Sequence, residues 1–357
     1  VIGANLVNFI AGVCDIPWVI GLFENGIVAG LGSILSFLPQ VVLLFFFLSI
    51  LEDSGYLARL AFSFEDIFKK LGLSGKSVYT LLMGFGCSAT AALTARNMED
   101  KNSKIKTAML TPYMSCSAKL PIYAVLGGAF FGASNIFIVF SLYLLGVVVA
   151  IILSMILEKS ALKSKNQSFI LEFPPYRIPS FKRVLNIIGD NLKQFIIRIG
   201  SVIFAMNIIV WLLGSFSFSF TYVPDTGGVS MLESIGKFLA PIFIPLGFGN
   251  WGATSALIAG LVAKEVIVSS IAIFNGIDVN AGSMTEQVQS SILNPNSAVY
   301  FTPASALSYM VFCLIYMPCI ATMSVLNKEI GTKWTVISII IELVIAYLLS
   351  LVVYKLY

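Results

Sequence analysis

Apolar residues in this chain gather in long unbroken runs rather than in alternation. Runs suited to crossing a membrane fall at about 33–52, 78–96, 104–130, 134–158, 193–214, 250–274, 303–325 and 333–356, with a shorter apolar piece at 232–247. A hydrocarbon core takes roughly 20 apolar residues to cross. None of the runs has the roughly 10-residue dyad pattern of a barrel strand, so they predict helices. Polar residues collect between them. The longest polar stretch, 159–192, contains "KSALKSKNQSFILEFPPYRIPSFKR". Within it "PPYRIP" predicts a stiff extended linker, and 180–193 predicts an amphipathic lead-in helix.

Composition sharpens this picture. The chain is 58% hydrophobic and 11% charged, with a mean hydropathy of +0.93. Soluble domains carry about 25% charged residues, so this is an integral membrane protein. The basic 159–192 stretch marks the cytoplasmic side. Working outward, 57–76, 97–106 and 326–333 fall inside, and 1–30, 215–231 and 275–302 fall outside. All but four of the 22 Lys and Arg then lie at the inner face. The exceptions are Lys119 and Lys264 within spans, and Lys237 and Lys355 near the outer face. Residue 1 is Val, which reads as a fragment or processed product, and the first stretch lacks the positive n-region of a signal peptide.

The charge map requires two hairpins, 76–98 entering and leaving on the inside and 232–274 on the outside. Their sequences echo each other, "GFGCSATAAL" against "GFGNWGATSAL". Farther along, "TPYMSCSAKLPIY" is answered by "IYMPCIATMSVL". The chain therefore divides into an outer amphipathic segment 1–32, a first repeat 33–158, a cytoplasmic linker 159–192 and a second repeat 193–357 of opposite topology. Inverted repeats with interrupted helices mark secondary transporters, whose site lies near the midplane between repeats. Residues 275–302 read as an insertion in the second repeat, an outer loop or lid.

The interruptions carry the candidate chemistry. Proline removes its own N–H and displaces the carbonyl four residues back. Pro112 would free the carbonyl of Ala108, Pro121 that of Ser117 and Pro318 that of Leu314. Gly84 and Gly86 would unwind the backbone before Cys87. With no histidine and five cysteines, any metal site must use thiolate, thioether, carboxylate, hydroxyl or backbone oxygen. An odd count with four cysteines in apolar segments argues against a disulfide framework. Cys87, Cys116 and Cys319 all sit at breaks, and soft sulfur selects iron, zinc or copper over magnesium and calcium. Met114 and Met317 offer thioethers at equivalent positions, although packing explains them as well. Cys313 and Cys14 read as small buried hydrophobes.

Charges inside spans are functional candidates by default. Lys119 lies three residues after Cys116 and has two readings, a counter-charge in the pathway or a structural partner of Glu265. Glu265 is a candidate proton or cation carboxylate, and Ser117 a candidate oxygen ligand. Glu52, near an inner span end with Asp53, has a pathway reading and a plainer one as an interfacial cap or partner of Arg59. "GLSGKS" at 72–77 is a decoy. A phosphate loop has four residues between its first Gly and Gly-Lys-Ser, and this stretch has too few, so no nucleotide site is expected in this chain.

Taken together, "GLGSILSFLPQVVLLFFFLSILEDSGYLAR", "LGLSGKS", "GFGC", "PYMSCSAKLPIY", "PPYRIP", "GLVAKEVIV" and "YMPCIAT" resemble the membrane portion of the ferrous iron transport protein B family over roughly 26–357. The resemblance implies an all-α membrane protein, a polytopic helical bundle of two inverted gate-type repeats with broken or re-entrant helices. It implies Fe(II) uptake across a bacterial inner membrane, with Cys87, Cys116 and Cys319 lining the path. Its implied partners are the divalent metal ion, the lipid bilayer, a GTP-binding domain in cis or trans and small cytoplasmic accessory proteins. Nucleic acid is not among them, and a homo-oligomer stays open. One departure is that Ser88-Ala89-Thr90 follow Cys87 where the family usually has Asn-Val-Pro, which bears on metal preference. A second concerns the family's amino-terminal GTP-binding domain, which does not lie within these residues. Because residue 1 maps outside, such a domain would need one more span before it. Other readings are a carrier of the same architecture for Mn(II), Zn(II) or an organic solute such as a nucleoside, and a membrane anchor of a GTPase-coupled receptor. A cysteine hydrolase lacks a histidine base, and no enzymatic activity is expected of this chain.

Overall fold

The computed structural model describes residues 17–98, 100–160, 162, 180–219, 221–223, 229–277, 284–295 and 297–357. Cys14, the first half of the outer amphipathic segment, the "PPYRIP" linker and part of the 275–302 insertion lie outside these residues. Among the described residues the structure is helical throughout, apart from one isolated bridge between Phe216 and Tyr222.

The first half opens with helical turns from Pro17 that run into α1 (Ala29–Asp53). Two short helices follow, α2 (Tyr56–Ser63) and α3 (Glu65–Lys70), and then the hairpin α4 (Ser77–Gly86) and α5 (Ser88–Thr94). A broken span comes next, α6 (Lys101–Leu110) and α7 (Leu120–Phe131), and α8 (Asn135–Ser160) closes the half. The second half follows. Helices α9 (Phe181–Phe195) and α10 (Ser201–Ser215) lead into the bent pair α11 (Met231–Phe243) and α12 (Trp251–Ala259). Then come α13 (Val266–Phe274), α14 (Met284–Ile292), the broken span α15 (Pro303–Ile315) and α16 (Ile320–Ile330), and α17 (Thr332–Leu356).

Four segments are long and apolar enough to cross a membrane: Lys101–Phe131, Asn135–Lys159, Pro303–Ile330 and Thr332–Leu356. Two bent pairs raise the count to six among the described residues. Leu38–Asp53 turns by 80° into α2, and Met231–Leu246 turns by 106° into α12. The protein is thus a multi-pass all-α membrane bundle. The expected spans at 78–96 and 250–274 are each split into two short helices, because the chain breaks at Cys87 and again at 260–265. The expected 193–214 span instead continues α9 through a widened turn, Ile196–Gly200, into α10.

Helix starts follow polar caps set into apolar sequence. Asp100 accepts from the Ser103 amide, Ser230 from Glu233 and Asn250 from Ala253. Thr302 and Ser305 cap α15 reciprocally, with Pro303 at its first position. The two halves interlock. Helix α5 packs on α16, α7 on α15, and α1 on α9 and α10. Their shared core holds the fully buried rings of Tyr113, Tyr123, Tyr309, Phe248 and Phe301. Large apolar side chains such as Phe137, Phe140, Ile340 and Leu348 are exposed on α8 and α17; on a membrane bundle they face lipid. The insertion is not a free lid where it is described. Val288 and Ile292 of α14 are fully buried, and Gln289 donates to the Val125 carbonyl of α7 at 3.3 Å.

The turn between α11 and α12 depends on Gly247, whose φ of 85° lies in the left-handed region. A Cβ there would also collide with the ring of Tyr354 on α17. Gly247→Ala is expected to destabilise the protein by about 2 kcal/mol or more, read as a lowered thermal midpoint in detergent.

Candidate functional site

Each of Cys87, Cys116 and Cys319 occupies the same local position, an extended residue at which one helix has stopped and the next is about to start. Cys87 (φ −150°, ψ 117°) separates α4 from α5, and its carbonyl accepts from the Ala91 amide at 3.0 Å. Cys116 (φ −75°, ψ 159°) precedes the tight turn Ser117–Lys119 that leads into α7. Cys319 (φ −61°, ψ 154°) starts α16, and its thiol lies 3.2 Å from the Thr322 hydroxyl. The N-terminal ends of α7 and α16 carry partial positive charge, surroundings that suit anionic sulfur.

The unwinding lies at Cys87 itself, not at the glycines before it. Gly84 and Gly86 remain helical, and Gly84 instead lets Met114 pack against the helix, since a Cβ would collide with that side chain. The carbonyls loosened by proline find partners by three different means. Ala108 accepts from the Thr111 hydroxyl at 2.8 Å. Ser117 accepts from the Leu120 amide, so its carbonyl is not free beside Cys116. Leu314 has no local donor and takes one from the other half of the molecule, the Lys119 ammonium at 2.6 Å.

Lys119 also reaches the carbonyls of Pro112 at 3.2 Å and Met114 at 3.3 Å. Its three N–H donors thus meet three backbone oxygens across both breaks. It forms no ion pair with Glu265 among the described residues, which overturns the structural pairing considered for it. Lys264 does the matching task from the turn after α12. Its ammonium donates to the Met317 carbonyl at 2.7 Å and lies over the Tyr316 ring, 3.1 Å from the centroid. The Ile320 amide donates to Leu261 at 2.7 Å, tying the same two turns together.

A cavity of about 260 Å³ opens where these breaks meet. All three cysteines line it, together with Ser117, Lys119, Lys264 and Glu265. The Ser117 hydroxyl donates to the Gly86 carbonyl at 3.0 Å and is itself met by the Gln40 amide of α1. One carboxylate oxygen of Glu265 is buried with no hydrogen-bond donor. Met114, Met317 and Glu52 do not line the cavity. Among the described residues no group of three or more Cys, Asp or Glu side chains is drawn together closely enough to hold a metal ion. Glu52 ends α1, and its neighbour Asp53 pairs with Arg183 of α9 at 3.1 Å. Cys313 is fully buried in α15.

Several residues at the site escaped the sequence reading. Gln40 follows Pro39 inside an apolar span, a polar residue beside a breaker, and that pairing was the available signal. Thr322 had no signal beyond its i+3 spacing from Cys319. Lys264 was noted as a charge within a span, with no partner or role assigned to it. The 72–77 loop is filled from within, since Glu65 accepts the Gly75 amide at 2.6 Å and the Ser77 hydroxyl meets Thr107 at 2.8 Å.

Comparison with known families accords with this geometry. The family model described as gate, nucleoside recognition, matches residues 34–130 and 196–333, one stretch in each half. The model for the ferrous iron transport protein B C terminus matches 139–188. The chain belongs to the gate family, in its ferrous iron transport protein B form. It is 40% identical over 346 residues to the Fe(2+) transporter FeoB of Staphylococcus aureus (strain MSSA476), covering 95% of this chain and 49% of the relative. It is 39% identical to the Fe(2+) transporter FeoB of Methanocaldococcus jannaschii, covering 94% and 49%. It is 34% identical to a Porphyromonas gingivalis Fe(2+) transport protein A/Fe(2+) transporter FeoB fusion protein, covering 94% and 44%. The chain thus spans about half the length of the curated relatives it matches. No solved structure gives a significant match.

If Lys119 secures both breaks, Lys119→Met orphans carbonyls of Pro112, Met114 and Leu314. Each buried acceptor left without a donor costs about 1–3 kcal/mol. Relief of the buried charge offsets part of this, and a net loss on the order of 2–4 kcal/mol is expected in detergent unfolding.

Proposed function

We propose that this chain carries Fe(II) across the cell membrane through the cavity between its two halves, with Cys116 and Cys319 as the central gate and Cys87 as third sulfur ligand. The observation that supports this reading is the meeting of three thiols, from three separate helix breaks, on one cavity inside an apolar bundle. A metal ion deprotonates a coordinating thiol. Three thiolates and the Glu265 carboxylate then balance the two fixed ammonium groups and one divalent cation. Ser117 supplies an oxygen beside Cys116, and Lys119 and Lys264 are counter-charges held in place by backbone carbonyls. Small motions at the breaks bring the sulfurs to ligand distance when the ion arrives. The relatives named as Fe(2+) transporters support iron as the cargo, and the fusion relative supports a small accessory protein as partner. A GTP-binding domain in cis or trans belongs to the same reading, as does the treatment of 33–158 and 193–357 as repeats of opposite orientation.

Cys116→Ala and Cys319→Ala are each expected to lower Fe(II) flux into proteoliposomes at least tenfold, with an unchanged detergent elution profile. Wild-type flux in both variants removes the sulfur gate.

A second reading rests on size. About 260 Å³ far exceeds the roughly 30 Å³ share of one water, and the matched family model is described by nucleoside recognition. An organic solute would use Gln40, Ser117 and Glu265 rather than sulfur. Competition of Mn(II), Zn(II) and nucleosides against Fe(II) uptake separates the two. Inhibition by metals alone is expected, whereas uptake of a nucleoside that persists in the cysteine variants supports the organic carrier.

A further inference from the structure

The last helix contains a carboxylate outside the cavity that has no evident structural duty. Glu342 lies near the middle of α17 and is 0% exposed. The Ser338 hydroxyl donates to its Oε1 at 2.7 Å, while Oε2 is buried with no donor. Tyr113, at the start of the first break, has a second buried oxygen without a partner, and it lies within electrostatic reach of Glu342. Lys119 and Lys264, the two ammonium groups of the cavity, also act on Glu342 through space. Neither pairs with it, because both are committed to backbone carbonyls.

Other titratable groups lie on the elements packed against α17. They are Tyr309 and Cys313 on α15, Lys328 and Glu329 on α16, and Lys101, Lys104 and Lys106 on α6. Glu329 is held by Arg96 and Lys104, and Lys106 by Glu158. The turn Ile244–Leu246 brings none. A carboxyl held in low dielectric by one hydroxyl, within electrostatic reach of a phenol that is also unpartnered, suits a ligand that supplies hydrogen-bond donation and positive charge at once. The smallest such ligand is a proton.

We propose that Glu342 is a proton-binding site, completed by Ser338 and Tyr113, whose occupancy alternates with that of the cation cavity. In the cation-free state the carboxylate Oε2 takes a proton from hydronium, one of whose O–H bonds breaks to leave water, and a new O–H bond forms on Oε2. When a divalent cation enters the cavity, added positive charge acts on Glu342 through the same space as Lys119 and Lys264. The O–H bond then breaks, its electron pair stays on the carboxylate, and the proton leaves to water. Cation entry and proton release offset each other electrostatically in a medium that screens weakly. This coupling rests on the cation-path reading above.

The test uses the full chain in proteoliposomes, with a chelating dye for Fe(II) inside and a pH dye on each side. The wild type is expected to move protons with the cation. Glu342→Gln, which keeps the shape and can still accept from Ser338, is expected to lower the protons moved per cation by one, leaving those that the thiols release, and to weaken the response of flux to an imposed pH gradient. Equal proton movement in Glu342→Gln, or wild-type cation flux with no proton movement, overturns the proposal. Infrared difference spectroscopy decides the matter independently of transport. A carboxylic acid band that responds to pH, vanishes in Glu342→Gln and shifts in Glu342→Asp supports it even if no divalent cation is carried, an outcome that sinks only the cation-path reading. Absence of any band sensitive to substitution at Glu342 overturns it. Should Glu342→Gln fail to assemble, Tyr113→Phe must weaken the coupling and shift the band, and no effect on either again overturns it.

Discussion

A backbone carbonyl inside the bilayer must find a donor, and that requirement organises this molecule. Unbroken helices meet it alone. Here the spans are broken on both sides of a shared centre, and the loosened oxygens must be met from elsewhere. Lys119 meets three of them, two in its own half and one in the other. Lys264 meets a fourth from a turn in the second half. The two halves are consequently joined by buried ammonium–carbonyl bonds as well as by the packing of α5 on α16 and α7 on α15.

Those bonds shape the electrostatics of the cavity they enclose. Two lysine nitrogens are pinned to its wall by backbone carbonyls, and the helix starts at α7 and α16 add partial positive charge. A bare cation would be repelled unless negative charge were supplied at the same time. In the proposed reading the thiols supply it, since a metal ion deprotonates the sulfur that binds it. A cavity lined permanently by carboxylates would attract cations but bind them too firmly to release. In the same reading Glu265, whose second carboxylate oxygen is buried without a donor, supplies the remaining compensation.

At the polar end of the bundle, Glu329 is gripped by Arg96 and Lys104 and ties the end of α16 to the first half. Helices α5 and α16 both start at a cavity cysteine and run side by side. The ion pairs thus fix the far ends of the two helices whose near ends carry Cys87 and Cys319. Geometry at the cavity is in this way linked to contacts about 15 Å away along α16, from the helix rise per residue.

Much was legible from residue order alone. Length and apolarity of the runs determined a multi-pass helical bundle, because lipid allows few alternatives. Proline beside cysteine marked two of the breaks, since it removes a backbone donor, whereas the glycines before Cys87 pointed to the third while staying helical themselves. The echo of "GFG" and of the Tyr-Met-small-Cys segments predicted two related halves. What the sequence could not determine was where each loosened group would turn. Ala108 is satisfied three residues away, whereas Leu314 is satisfied by Lys119, 195 positions distant. Glu342 went unremarked in the sequence, one acid in an apolar helix, and only packing shows it buried with an unpartnered oxygen within electrostatic reach of Tyr113. The pairing of Lys119 with Glu265 was chemically reasonable and did not form, because nearby carbonyls already use every N–H of that lysine. Local chemistry is written in the chain, but which distant groups share a low-dielectric interior is decided only when the helices are packed.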